Sequence, residues 1–108
     1  MIIWFTGISG VGKTTLGFHV FKKIKKKFLN TVFIDGDKFR KLFRNDLGFS
    51  LKDRNKNAER LISFTEHLYS QKIIVIISAN ITSPKYLRIC RKKFKKFLHI
   101  HIESPLEF

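Results

Sequence analysis

The chain has 108 residues, enough for one small domain and not for two. Apolar residues make up 44%, which excludes wholesale disorder and allows a packed core leaning on its 12 Phe. The formal net charge is +14, from 22 basic and 8 acidic residues, a field that favours nucleotides, nucleic acid or acidic membrane surfaces.

Met1 is followed by Ile2-Ile3-Trp4-Phe5-Thr6, a continuously apolar run that predicts a buried strand of a parallel sheet. It ends at Gly7, and residues 7–12 are rich in glycine. Over Lys13 to Phe28 the residues Leu16, Val20, Ile24 and Phe28 recur every four positions with lysines opposite, which predicts a helix. Thr31-Val32-Phe33-Ile34 predicts a second strand, closed by Asp35-Gly36-Asp37. A short helix is expected over Lys38 to Arg44, then a loop through Asp46-Leu47-Gly48-Phe49. Ser50 with Asp53 three residues on resembles a capping box. A helix should therefore start near Leu51, carry an apolar stripe of Ala58, Leu61, Thr65 and Leu68, and end near Gln71.

Ile73 to Ile77 is the most apolar run and predicts a central strand. Pro84 is placed to open a helix that runs to about Lys96. Leu98 to Glu103 predicts a fourth strand, in which Ile100 and Ile102 alternate with His99, His101 and Glu103, so one face should be polar or poorly covered. Ser104-Pro105 signals the start of another helix. Four alternations of strand and helix predict an α/β fold with a parallel sheet and right-handed crossovers.

The basic runs Lys22 to Lys27 and Arg91 to Lys96 are each broken by one apolar residue, as on the wet face of a helix. The single cysteine, Cys90, cannot form an internal disulfide, which suits a reducing compartment. Its basic neighbours could lower its pKa, but no His–Asn partner pattern surrounds it, so it is not read as catalytic. No segment approaches the roughly 18 apolar residues of a membrane span, and no secretory leader is visible, so a cytoplasmic location is expected.

The strongest chemical signal is Gly7-Ile8-Ser9-Gly10-Val11-Gly12-Lys13-Thr14, which matches G-x-x-x-x-G-K-[ST]. A phosphate chain must be wrapped by backbone N–H groups, and glycines let the backbone come close and take unusual φ angles. The following helix adds the partial positive charge of its N-terminus. Lys13 would reach the β- and γ-phosphates of ATP and the Thr14 hydroxyl would bind Mg²⁺. The alternative is a glycine turn without a ligand.

The acceptor side is less specific. Asp35 and Asp37, with Arg40 three residues on, follow a strand end, where ligands bind in open parallel sheets. One aspartate could orient a hydroxyl proton and one could serve Mg²⁺. The alternative is an ordinary Asp-Gly turn with Asp37 capping the next helix. Arg54, Asn57 and Arg60 stand at i, i+3 and i+6 on the following helix. Arginine grips phosphate or sulfate oxygens in a fork, asparagine can read an adenine edge, and Phe49 could stack on a base. A solvated helix start with one core Phe remains the alternative.

Taken in order, these stretches resemble the adenylylsulfate kinase family. The resemblance is carried by Ile3 to Gly10, Ile34-Asp35-Gly36-Asp37 with Arg40, Asp46 to Ser50 followed by Asp53-Arg54, Asn57 and Arg60, and Glu103 to Glu107. It covers essentially the whole chain. It implies a three-layer P-loop kinase core with strand order 2-3-1-4 and Mg-ATP on the loop, held by Gly7, Ser9, Gly10, Val11, Gly12, Lys13, Thr14 and Thr15. It also implies Asp35 and Asp37 as the groups for metal contact and activation of the 3′-hydroxyl, Asp37 being the preferred proton acceptor. Thr14 and Asp35 are the expected metal contacts. Arg40, Arg54 and Asn57 would hold adenosine 5′-phosphosulfate, with Phe49 stacked on its adenine and Ile81 near the same base. A homodimer is compatible with the resemblance, and neither nucleic acid nor a membrane is an expected partner.

Two departures stand out. Ser78-Ala79-Asn80-Ile81-Thr82-Ser83-Pro84 differs from the family's usual Ser-Phe-Ile-Ser-Pro, which leaves the acceptor open to another small hydroxyl compound. The family domain also continues past the equivalent of Phe108 into a basic lid, a helix and a fifth strand, so residues 1–108 are expected to be a C-terminally incomplete domain that turns over slowly or not at all by itself. The charge of +14 alone would also suit a nucleic-acid-binding protein, but no helix-turn-helix signal, zinc-ligand pair or ribonucleoprotein motif supports one. His99 and His101 lack a third ligand and read as exposed strand residues.

Overall fold

The sheet is built on β1 (Ile2–Gly7), whose six residues are all buried, as its unbroken apolar run requires. The computed structural model describes residues 1–7, 12–81 and 83–103. In chain order the remaining elements are α1 (Lys13–Lys27), β2 (Thr31–Asp35), α2 (Gly36–Lys41), α3 (Leu51–Ser70), β3 (Ile74–Ser78), α4 (Pro84–Lys93) and β4 (Phe97–Ile102). The four strands are parallel in the order β2-β3-β1-β4, as the resemblance implied.

Strand alternation divides the core into two faces. Ile2, Trp4, Ile34, Val75 and Ile77 pack against Ala58, Leu61 and Ile62 of α3 and Tyr86 and Cys90 of α4. Ile3, Phe5, Ile76 and Ile102 form the other face under Leu16, Val20, Phe21 and Ile24 of α1. Helices on both faces of a parallel sheet make the three layers. Thr65 fits the apolar stripe of α3 because its hydroxyl donates to the Leu61 carbonyl at 2.8 Å.

Several boundaries shift. The short helix begins at Gly36 and stops at Lys41, where i→i+3 bonds (Leu42 to Phe39, Phe43 to Arg40, Arg44 to Lys41) take over, and positive φ angles at Arg44 (57°) and Asn45 (55°) then turn the chain away. Asp35, rather than Asp37, is its N-cap, accepting from the Lys38 N–H at 3.4 Å. The helix after Pro84 ends at Lys93, short of the expected Lys96, so that Phe94 can bury against the core. Phe28 falls outside α1 and is 52% exposed, so it does not join the apolar stripe. The helix expected from Ser104-Pro105 lies outside the described residues.

Lys25, Lys26 and Lys27 close α1, and Arg91, Lys92 and Lys93 close α4, where positive charge complements the helix dipole. Much of the basic charge therefore has a local structural use. Cys90 is buried, and burial pushes its thiol up to about 11 despite the opposing pull of Arg91 and Lys93. The sequence hint of a lowered thiol pKa is thus reversed by desolvation. No helix among the described residues is long and apolar enough to cross a membrane.

Candidate functional site

Three strand ends and one helix start converge at the carboxyl edge of the sheet. Asp35 ends β2, Ser78 ends β3 and Gly7 ends β1. Gly12 caps α1 with a left-handed φ of 93°, a conformation that glycine adopts without a steric penalty, and its carbonyl accepts from the Leu16 N–H at 2.9 Å. The Thr14 hydroxyl donates to Asp35 Oδ1 at 3.3 Å. The Ser78 hydroxyl lies 3.2 Å from Thr14 Oγ1 and, since that proton goes to Asp35, donates to it. Thr14, Asp35 and Ser78 thus bring three oxygen donors together, a hard set of the kind Mg²⁺ takes.

Of these, Asp35 and Ser78 border a pocket of about 220 Å³. Lys13, Asp35, Asp37 and Ser78, next to the phosphate-loop motif or at strand ends, line it together with Arg40, Phe49, Arg54 and Asn57. The Asp37 carboxylate is exposed to the pocket and bonds to no described residue. Gly36 is required for the close approach of α2 to β3: a Cβ built there would lie 2.5 Å from the Cβ of Ala79.

On the far side, residues 42–50 are tied down by charged side chains. Arg40 donates through Nη2 to the carbonyls of Leu47, at 2.8 Å, and Gly48, and its guanidinium lies 4.0 Å from the centre of the Phe49 ring. Asp53 Oδ2 accepts from the Gly48 N–H at 2.7 Å, while its own N–H donates to Ser50 Oγ at 3.2 Å. Arg60 forms a two-pronged bridge to Asp46 at 2.9 and 3.2 Å and stacks 4.0 Å over Phe43. The Arg60 bond holds the Asp46 carboxyl below the usual carboxylate range. Arg60 is therefore a fastener of the loop and not part of the pocket wall. Phe49 is 76% exposed, with one ring face on Arg40. Among the described residues, the buried Asn57 Oδ1 has no hydrogen-bond partner, although Asn57 borders the pocket. Such an orphan acceptor is costly unless something donates to it.

Not every candidate converges. Ile81 packs against the core beside the pocket rather than in its wall. Thr15 is exposed and faces an apolar groove with Phe18, Phe33 and Leu42. Gly7 is buried and its N–H is committed to Asn80 Oδ1 at 2.9 Å. Ser9, Gly10 and Val11 lie outside the described residues. Sequence reasoning singled out the stretch 78–84 as bearing on the acceptor but did not name Ser78 and Asn80 as site residues. The signal was present: the rule that ligands sit beyond the carboxyl ends of strands applies to β3 as much as to β2.

A parallel 2-3-1-4 sheet with a Gly-Lys-Thr junction between its first strand and first helix defines the P-loop kinase class of fold. Within that class, the chain matches the adenylylsulphate kinase family over residues 1–108. It is 34% identical over 107 residues to a probable adenylyl-sulfate kinase of Pseudomonas aeruginosa, covering 98% of this chain and 50% of that protein. It is 35% identical over 106 residues to an adenylyl-sulfate kinase of Halothermothrix orenii, covering 97% of this chain and 57% of that protein. The APS kinase of Mycobacterium tuberculosis, solved in complex with AMPPNP and APS, superposes with a TM-score of 0.75 at 29% identity, over 97% of this chain and 63% of that one. The chain belongs to the adenylylsulphate kinase family. It spans 50–57% of the length of these two curated relatives.

Proposed function

We propose that this chain carries the site for ATP-dependent phosphorylation of the 3′-hydroxyl of adenosine 5′-phosphosulfate, yielding ADP and 3′-phosphoadenosine 5′-phosphosulfate. The observation that carries the reading is one pocket lined by Lys13 and two aspartates together with Arg40, Phe49, Arg54 and Asn57. The family membership and the mycobacterial relative's complex with AMPPNP and APS point the same way.

In this reading the loop through Gly12 cradles the phosphates of ATP, with Ser9, Gly10 and Val11 as further backbone donors, and Lys13 neutralises charge on the transferring group. Thr14 and Asp35, steadied by Ser78, would hold Mg²⁺, which supplies charge neutralisation along the phosphate chain. Asp35 is already engaged by Thr14 and the start of α2, whereas Asp37 is free among the described residues. Asp37 is thus the better proton acceptor for the 3′-hydroxyl, which attacks the γ-phosphorus as the bond to ADP breaks. Arg54 would grip the phosphosulfate, Phe49 would stack on the adenine, and an adenine N–H would meet the orphan Asn57 Oδ1. Arg40 acts chiefly by holding the loop that presents Phe49.

Lys13→Ala is expected to abolish transfer of phosphate from ATP to adenylylsulfate, since removing one preorganised charge costs roughly 3–4 kcal/mol of transition-state stabilisation. Retention of activity within about tenfold contradicts the role. Thermal unfolding with Mg-ADP and adenylylsulfate tests the site without turnover: a ligand at about 100 times its Kd adds roughly 2.7 kcal/mol. A shift with Mg-ADP and none with adenylylsulfate keeps the kinase reading and transfers the search to other hydroxyl acceptors. The 78–84 stretch, which carries Asn80 in the pocket wall, is the feature that favours that second reading.

A further inference from the structure

β1 and β3 run out of ladder at the edge of the pocket. The Ala79 N–H donates to the Phe5 carbonyl at 3.0 Å, so the parallel register would send the next N–H, that of Gly7, to the Ala79 carbonyl. That carbonyl accepts from another donor instead. Trp4 is fully buried, and its indole N–H donates to the Ala79 carbonyl at 2.9 Å. The Gly7 N–H instead donates to the side chain of Asn80, Oδ1 at 2.9 Å, which replaces the missing rung.

This bond has a chemical consequence. A backbone N–H can pair only with the oxygen of a side-chain amide, so the orientation of the Asn80 amide is set. Its Nδ2, with two N–H donors, is then the remaining polar end of a side chain that borders the pocket beside Ser78, Gly36 and Asp37. The carboxylates of Asp35 and Asp37, which line the same pocket, only accept when ionised; an oxygen of the acceptor needs a donor, and Asn80 Nδ2 is one.

We propose that Asn80 is an acceptor-binding residue that also ties the acceptor side to the phosphate loop: Oδ1 holds the first N–H of the loop while Nδ2 donates to an oxygen of the bound acceptor. The inference rests on the reading of the pocket as a kinase site. It assigns part of acceptor selection to the segment 78–84, where this sequence departs from the family pattern. Compounds with an oxygen at that point are favoured over analogues lacking it, because that oxygen gives the exposed Nδ2 a fixed partner in place of water.

Two substitutions separate the two ends of the amide. Asn80→Asp keeps an oxygen for the Gly7 N–H and removes the donor; Asn80→Ala removes both. Calorimetric titration of the chain with Mg-ADP, and with adenylylsulfate in the presence of Mg-ADP, is read alongside hydrogen exchange at the Gly7 amide. Asn80→Asp is expected to keep the Gly7 amide protected and weaken adenylylsulfate binding by about tenfold or more, with a smaller change for Mg-ADP. Asn80→Ala is expected to lose the protection and weaken both ligands. Unchanged adenylylsulfate affinity in both variants overturns the proposal while leaving the kinase reading intact. A wild-type chain that binds Mg-ADP but no adenylylsulfate overturns the acceptor reading itself, and the assignment of Nδ2 with it.

Discussion

The two ends of the pocket are positioned by different forces. At the strand ends, Asp35, Ser78 and Gly7 stand where the register of a buried parallel sheet puts them, with their backbones in the ladder. On the other side, Phe49 and the segment around it are held by guanidinium and carboxylate bonds at the surface: Arg40 to Leu47 and Gly48, Arg60 to Asp46, Asp53 to Gly48. Exposed ion pairs are weak and screened by salt, whereas ladder contacts in a core are not. The lesson is that the strand ends should be rigid before any ligand arrives, and the acceptor end should be adjustable.

The largest expected effect comes from spoiling the rigid end. Gly36→Ala places a Cβ 2.5 Å from that of Ala79 and 3.2 Å from its Cα, so backbone must move. Overpacking of this kind costs about 2 kcal/mol, a fall in Tm of roughly 10 °C for a domain of this size. Adding Ala79→Gly removes the nearer clash and should recover part of the loss. Equal stability of Gly36→Ala and wild type by calorimetry would show that the strand ends yield more readily than their packing implies.

A smaller effect, confined to one ligand, is expected at the adjustable end. Arg40→Lys cannot span two carbonyls and stack on Phe49 together. Adenylylsulfate affinity should fall by about tenfold while Mg-ADP affinity stays within about twofold. A parallel loss of both ligands in titrations would mean that the two ends are not independently built.

The smallest effect concerns the other flank of β1. The Thr6 hydroxyl sits 2.7 Å from His99 Nε2 and 2.8 Å from His101 Nδ1, bridging the residue before the phosphate loop to β4. Burial first, then Arg91 and His101, push the His99 pKa below its ordinary value. The folded chain therefore holds His99 neutral where the unfolded chain protonates. Stability is complete above about pH 6.5 and declines as pH falls from there toward the lower folded value. Tm measured from pH 7.5 to 5 should show this slope, and His99→Gln should flatten it. An unaltered slope in the variant would assign it to other groups. Among the described residues no third metal-ligating side chain joins this pair.

The strand and helix pattern was legible in the residues because burial imposes periodicity: two-sided burial gives β1 its unbroken apolar run, and one-sided burial gives α3 its stripe. The phosphate loop was legible because its chemistry demands glycines, a lysine and a threonine next to each other in the chain. Asp35, Arg40, Phe49, Arg54 and Asn57 were legible as candidates by their order along the chain and by resemblance, yet their division of labour was not. Arg54 and Asn57 border the pocket while Arg60, one turn on, turns to Asp46 and Phe43. That choice depends on where residues 42–50 fold back, which no local spacing encodes. Ser78 and Asn80 joined the site for the same reason. The Gly7 N–H bonds to Asn80 while an indole 75 residues away from Ala79 in the chain donates to that residue's carbonyl. Competition of this kind for a hydrogen-bond acceptor is settled only when the strands have come together.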